Sequence, residues 1–311
     1  MTGDLWVITC HFNPAGFAHR PRNYELFRAR LAQQGVPVVT VECTFGGAPP
    51  TLPPAPDVLH VRARDVLWQK ERLLNLALRA VPRWVPKIAW LDADVLLDDR
   101  WAAETSALLE RAPVAQPFAR AVRLPPGAVV DDGVSVERFA SFCHEVSRDP
   151  ALAEQGSYDP HGHTGFAWAA RRELLDACGL YEACVAGSAD HVMAHAFGGG
   201  LESACISRIF GKNAAHERHF RAWAERVSEH VGGRRVAHVD GTLLHLWHGE
   251  LRHRAYLERN RELATLRFDP ERDLVDSEGQ PLAFSLARPD LREWASSYFR
   301  RRNEDAPPET G

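Results

Sequence analysis

Residues Ile88-Ala89-Trp90-Leu91 form an apolar run that ends directly in Asp92-Ala93-Asp94. A strand apolar enough to be buried, delivering two carboxylates at its end, constrains the fold more than any other stretch of the chain. On an extended backbone, residues two apart point to the same side. Two carboxylates on one side repel each other unless a cation lies between or beside them. A hard divalent ion with oxygen ligands, Mg²⁺ or Mn²⁺, suits the pair and would keep positions open for phosphate oxygens. A strand end carrying two solvated aspartates has the same short pattern.

The residues before this strand alternate between strand and helix signals. Leu5 to Cys10, Val36 to Val41, Val58 to Val61 and Lys87 to Leu91 read as strands. Asn23 to Gln34 and Val66 to Val81 have helical spacing, and Thr51 to Pro56, with three prolines, is a connector. This order predicts an α/β fold with a mostly parallel sheet flanked by helices. Ligands of such sheets gather at the carboxyl ends of the strands. Further on, Ala169 to Cys178 and Ala189 to Phe197 read as helices and Thr242 to Leu246 as a short strand. Arg252 to Leu266 is charged and helical, and a last helix covers about Asp290 to Arg301. The Pro- and Glu-rich tail from Asn303 is expected to be disordered.

Composition sets bounds on function. With 311 residues, 45% hydrophobic and 25% charged, the chain can bury a real core. A net charge of -4 with no basic stripe argues against a nucleic-acid partner. The local clusters Arg234-Arg235, Arg252 to Arg254 and Arg300 to Arg302 are solvated faces or phosphate contacts. None of the six cysteines forms a CxxC pair, which reads as reduced thiols in a cytoplasmic protein. The start of the chain shows no signal peptide, and no run reaches the roughly 18 apolar residues of a membrane span.

A second chemical feature is Leu244-His245-Leu246-Trp247-His248-Gly249, where two imidazoles follow a short apolar strand. A neutral ring nitrogen could complete a metal shell begun by the aspartates. Together with Leu91 to Asp94, three further segments lie in a telling order: Gly165 to Leu175, Gly179 to Glu182 and Gly187 to Asp190. This order resembles that of GT-A (Rossmann-like) glycosyltransferases, of the family 2 type with a galactosyltransferase-like C-terminal region. The resemblance covers about residues 5 to 260. It implies a glycosyltransferase domain over 1–250, with a nucleotide-sugar-binding half (1–125) and an acceptor or catalytic half (126–250). A C-terminal helical extension, 251–302, and the tail, 303–311, would follow.

The resemblance also implies roles. Asp94 would bind Mn²⁺ or Mg²⁺ directly, while Asp92 would share the metal shell or lie nearer the ribose. His248 or His245 would be the further metal ligand, with His248 favoured beside a flexible Gly249. Thr9, Asn13 and Glu42 would contact the nucleoside. Gln69, Lys70 and Asn75 would flank base and ribose, and Gly165 to Trp168 would wall the donor sugar. Asp190 stands where inverting members keep the catalytic base, although Ala189-Asp190-His191 replaces the usual acidic doublet. The implied activity transfers a sugar from a nucleoside diphosphate sugar, with UDP favoured, to a glycan, lipid-linked or small-molecule hydroxyl, with inversion.

Other readings stay open at this point. His191 and His195, four residues apart on a helix, could bind zinc in a metallohydrolase, although Val192 stands where an HExxH glutamate would be. A nucleotidyltransferase also uses paired carboxylates, with Arg20 and Arg22 near a glycine-poor first loop. A non-catalytic nucleotide-sugar-binding protein on the same scaffold would share the motifs. Trp68 and Trp168 are the tryptophans placed to stack on a sugar, with core packing as the alternative.

Overall fold

The computed structural model describes residues 3–133, 137–232 and 236–306. Arg234-Arg235 and residues 307–311 of the tail lie outside the described residues. The strands are β1 (Leu5–Phe12), β2 (Val38–Phe45), β3 (Val58–Ala63), β4 (Lys87–Leu91), β5 (Val95–Leu97), β6 (Val114–Gln116), β7 (Arg120–Arg123), β8 (Glu137–Ala140), β9 (Ala167–Arg171), β10 (Ala237–His238) and β11 (Thr242–His245). The central sheet has the order β10-β6-β9-β4-β1-β2-β3. All its neighbouring pairs are parallel except those made by β9, which runs antiparallel to both β4 and β6. The fold is therefore α/β with a mostly parallel sheet, as expected.

Helices His19–Gln33 and Lys70–Ala80 overlap the stretches of helical spacing, the first starting four residues before Asn23 and the second four residues after Val66. The second buries Leu73, Leu74, Ala77 and Leu78 against β1 and β2. That stripe, at i, i+1, i+4 and i+5, is the core-facing side of an amphipathic helix. Across the sheet centre Trp90 of β4 stands opposite Trp168 of β9, and their rings stack at 6.3 Å.

A smaller sheet, β5-β11-β7-β8, lies beyond the carboxyl end of β4. Its β5–β11 pairing sets His245 opposite Val95, and Leu246 N–H donates to Asp94 O at 2.8 Å. The metal-ligand candidates are thus joined by backbone pairing, although about 150 residues separate them in sequence.

Three local expectations change. The stretch from Ala169 was read as helix, but Ala167–Arg171 is strand β9 and the helix begins at Arg172. Alanine favours helix in isolation; here the slot between β4 and β6 decides, with Ala169 and Ala170 wholly buried. The charged run from Arg252 is not one helix: a short turn, Leu251–Arg254, and a left-handed Ala255 (φ 45°) precede the helix Glu258–Thr265. The tail is ordered over Asn303 to Ala306, with Glu304 only 1% exposed. Among the described residues, no helix is long and apolar enough to cross a membrane. All six cysteines are free thiols.

Candidate active site

The carboxyl ends of β1 and β4, the entry to β9, the end of β11 and the turn Leu251–Arg254 surround one cleft of about 390 Å³. At its centre the chain turns after Leu91, so the two aspartates diverge instead of pointing the same way. Asp94 faces the histidine pair, with His248 Nε2 at 3.2 Å and His245 Nε2 at 3.7 Å from its carboxylate. The two Nε2 atoms are 3.2 Å apart. Burial and the Asp92 charge push the Asp94 carboxyl up to about 7. Burial, with Arg254 beside it, pushes His248 down to about 3, and His245 also lies well below the usual imidazole range.

Both rings are therefore neutral, the form that donates a lone pair to a metal. Asp94 Oδ1 is buried with no hydrogen-bond partner. A carboxylate and two neutral nitrogens converging on one point fit a divalent cation. Arg254 Nη2 also approaches His248 Nε2, at 3.1 Å, and supplies positive charge at the same point.

Asp92 does not join this cluster. Lys70 Nζ lies 2.5 Å from Asp92 Oδ1 and donates to both oxygens of Asp190, at 3.0 and 2.9 Å. Burial opposes the charge of the Lys70 amine, yet Asp190 and Asp92 more than offset this and hold it well above the ordinary lysine range. Burial pushes the Asp190 carboxyl up, with Lys70 pulling the other way. Asp190 stands in the first turn of the helix Ala189–Gly198, and Ser188 before it is left-handed (φ 77°). Phe166, also on the cleft wall, is left-handed too (φ 78°). Two non-glycine residues held this way at one cleft are strain of the kind that clusters at functional sites. Gly165 keeps the space open between them: a Cβ there would come within 3.1 Å of His163 Cε1 and 3.7 Å of Asp190 Oδ2.

The other wall is cationic. Arg20 and Arg302 both grip Glu304: Arg20 Nε and Nη2 donate at 2.7 Å each, and Arg302 Nε donates at 2.7 Å. The arginines hold the Glu304 carboxyl far below the usual range against its burial. Glu304 Oε2 is also 3.8 Å from His248 Nδ1, so the tail backs the metal-ligand candidate. Gly249 is not a flexible tether here. Its φ is +97° and a Cβ would meet Glu304 Cα at 2.7 Å, so glycine is needed for the tail to pass. Replacing Glu304 by alanine would strand Arg302, whose side chain is 3% exposed, beside Arg20. We expect Glu304→Ala to lower unfolding stability by about 3 kcal/mol, measured by urea denaturation, whereas Glu304→Gln should recover part of the loss.

Several residues expected to hold the nucleotide make hydrogen bonds within the fold. Thr9 Oγ1, buried, donates to Leu91 O at 2.8 Å. Asn13 closes its own loop through Phe17 N and O. Glu42 accepts from Thr51 N, Thr51 Oγ1 and Leu52 N and pairs with His60 at 3.2 Å. Gln69 bonds the Leu282 backbone in both directions, and Asn75 bonds Leu180 and Glu182. Trp168, 2% exposed, donates to Thr164 O and belongs to the core, whereas Trp68 lines the cleft. The cleft does gather Lys70, Asp92, Asp94, Gly165, Asp190, His245 and His248. It adds Arg20, Arg254, Arg259 and Arg302; Arg254 and Arg302 belong to clusters expected at solvated faces or phosphates, and Arg20 to the nucleotidyltransferase alternative. The sequence signal for Arg254 and Arg302 is the pair of basic clusters at 252–254 and 300–302, and that for Arg20 is its place after the first strand.

No protein-family model and no curated protein matches the chain. Solved structures similar to it include a mutant Drosophila β1,4-galactosyltransferase 7 in complex with manganese, UDP-Gal and xylobiose. There the identity is 13%, 94% of this chain and 98% of that chain are covered, and the TM-score is 0.41. S. aureus TarS matches at 10% identity over 72% of this chain and 71% of that chain, with a TM-score of 0.37. The 4-diphosphocytidyl-2C-methyl-D-erythritol synthase of Anaerococcus prevotii DSM 20548 matches at 9% identity over 78% of this chain and 90% of that chain, with a TM-score of 0.35. At these identities and TM-scores the functional reading rests on the geometry of the site itself.

Proposed function

We propose that this chain is a metal-dependent glycosyltransferase acting on a nucleoside diphosphate sugar, of the GT-A type that its motif order resembles. The observation that carries the reading is the convergence of Asp94, His245 and His248 at the carboxyl edge of the sheet, next to the Arg254 guanidinium. Asp94 and the two imidazoles would hold Mn²⁺ or Mg²⁺, which when bound supplies positive charge to a leaving diphosphate. Arg254, whose Nε is buried without a hydrogen-bond partner, is placed to donate to phosphate oxygens. Asp92 and Lys70 border the space for ribose and sugar, with Trp68 also lining the cleft.

Asp190, on the side of the cleft formed by the helix Ala189–Gly198, would take the proton from the acceptor hydroxyl. A base acting opposite the leaving group gives inversion at the anomeric carbon. The Lys70 ammonium keeps Asp190 ionised and oriented. UDP is the proposed nucleotide, and the acceptor is a glycan, lipid-linked or small-molecule hydroxyl.

The test is thermal unfolding with UDP, GDP, CDP and dTDP, each with Mn²⁺ and with no added divalent ion. A ligand that binds only the folded state raises the midpoint by mass action. A rise with one diphosphate that requires Mn²⁺ supports the reading. No rise with any of the four removes it.

A further inference from the structure

We propose that His161, His191, His195 and Cys205 form a second metal site, selective for zinc and structural in role, adjoining the cleft that His191 lines. Each of the four offers one ligand atom, and these atoms all lie within 4.8 Å of one another. They come from separate segments. His161 ends the short helix Tyr158–His161, His191 and His195 share one face of the helix Ala189–Gly198, and Cys205 is the second residue of the helix Ala204–Phe210. Residues four apart on a helix lie one above the other, so the two imidazoles of that helix present a common edge. The three ring centroids are 5.0 to 5.3 Å apart.

The spacing matches the ion. A tetrahedral zinc at about 2.0 Å from nitrogen and about 2.3 Å from sulfur sets those two donors about 3.5 Å apart. Cys205 Sγ stands 3.5 Å from His161 Nε2. The same sulfur has a weaker contact with Gln155 O at 3.8 Å.

The surrounding hydrogen bonds point the rings the right way. His195 Nδ1 donates to Ala153 O at 2.7 Å, and His161 Nδ1 donates to Gly162 O at 2.8 Å. A carbonyl can only accept, so in both rings the proton is on Nδ1 and the lone pair on Nε2. Metal-bound histidines are oriented by this kind of bond from the distal nitrogen to a backbone carbonyl. His195 is wholly buried, and its Nε2 has no hydrogen-bond partner. A bare nitrogen lone pair in a dry interior is costly unless something accepts it.

Three imidazoles and one thiolate are a soft donor set, which favours zinc over the hard ions suited to phosphate chemistry. Four protein donors close the tetrahedral shell. Such a site has no position for a catalytic water and is structural, which sets aside the metallohydrolase reading of the His191 and His195 pair. The segments it joins are those that shape the cleft. The loop after His161 carries His163, Thr164 and Gly165, and the histidine helix carries Asp190.

The test uses the full chain without an affinity tag, produced in zinc-supplemented medium, dialysed, and assayed for metal by mass spectrometry. About one equivalent of zinc should be retained, by the Asp94→Ala variant as well, and lost in Cys205→Ser and His195→Asn. Cobalt substitution of the wild-type chain needs no variant to fold. Bound Co²⁺ should show a near-ultraviolet thiolate-to-metal charge-transfer band, which the Asp94, His245, His248 set cannot give because it holds no sulfur. A wild-type chain that retains no zinc, a cobalt spectrum without the thiolate band, or zinc retention in both site variants equal to that of the wild type would each overturn the proposal.

Discussion

Replacing Asp94 by alanine is expected to abolish the Mn²⁺-dependent rise in unfolding midpoint caused by a nucleoside diphosphate, and to lower sugar transfer by about 10³-fold or more. Asp94 supplies the only carboxylate among the described residues in the cluster with His245 and His248. Without it, two neutral imidazoles remain, too little charge to hold a hard divalent ion against water. The protein itself should lose little stability. Burial pushes the Asp94 carboxyl up to about 7, so this group resists ionisation in its own pocket when no cation is bound. An Asp94→Ala variant that is as stable as the parent but silent to metal separates a ligand from a structural residue. A variant that keeps the full metal-dependent shift would place the ion elsewhere and sink the site as drawn. His248→Ala serves as the internal comparison, since its ring also touches Arg254 and Glu304 and should cost both metal response and stability.

The sequence foretold parts of this arrangement because some signals are local and others are not. Strands β1 to β4 and the two helices between them follow from apolar spacing and turn residues, which act over a few positions. The proposed metal ligands Asp94, His245 and His248 were legible because they lie at or just past the ends of apolar strands, and strand ends of an α/β sheet are where ligands gather. What the sequence hid depends on pairing between distant segments. Asp92 and Asp94 diverge because β4 stops at Leu91 and β5 starts at Val95, a boundary the residue pattern does not mark. Lys70 joins Asp92 to Asp190, 120 residues away, so its role could not be read from the helix it begins.

The tail misled for the same reason. Asn303 to Ala306 reads as polar and poor in apolar residues, the mark of disorder. Glu304 is held instead by Arg20 and Arg302, the first of them nearly the whole chain away, and charge pairing with a distant arginine leaves no local pattern. The 18-residue helix Ala214–Val231, not anticipated from the sequence, shows the opposite case. Its stripe of Phe220, Trp223, Ala224, Val227 and Val231 has the helical period and was there to be found.

The base assignment gives the sharpest kinetic expectation. Asp190→Asn should lower turnover by about 10² to 10⁴-fold, the usual yield of a positioned base, while leaving Mn²⁺-dependent nucleotide binding intact. A base works only when ionised, so turnover in the parent should rise with pH through the Asp190 titration. Burial raises that carboxyl above its ordinary position, so the acid limb should lie above the range of a free aspartate. Lys70 pulls in the opposite direction, by charge and by hydrogen bond. Removing its charge in Lys70→Met should therefore move the acid limb to still higher pH, and the residual rate should recover as pH is raised. A residue that only held the helix in place would lower the rate at every pH without moving the limb. Full turnover in Asp190→Asn would show that another group takes the proton, or that the reaction retains configuration.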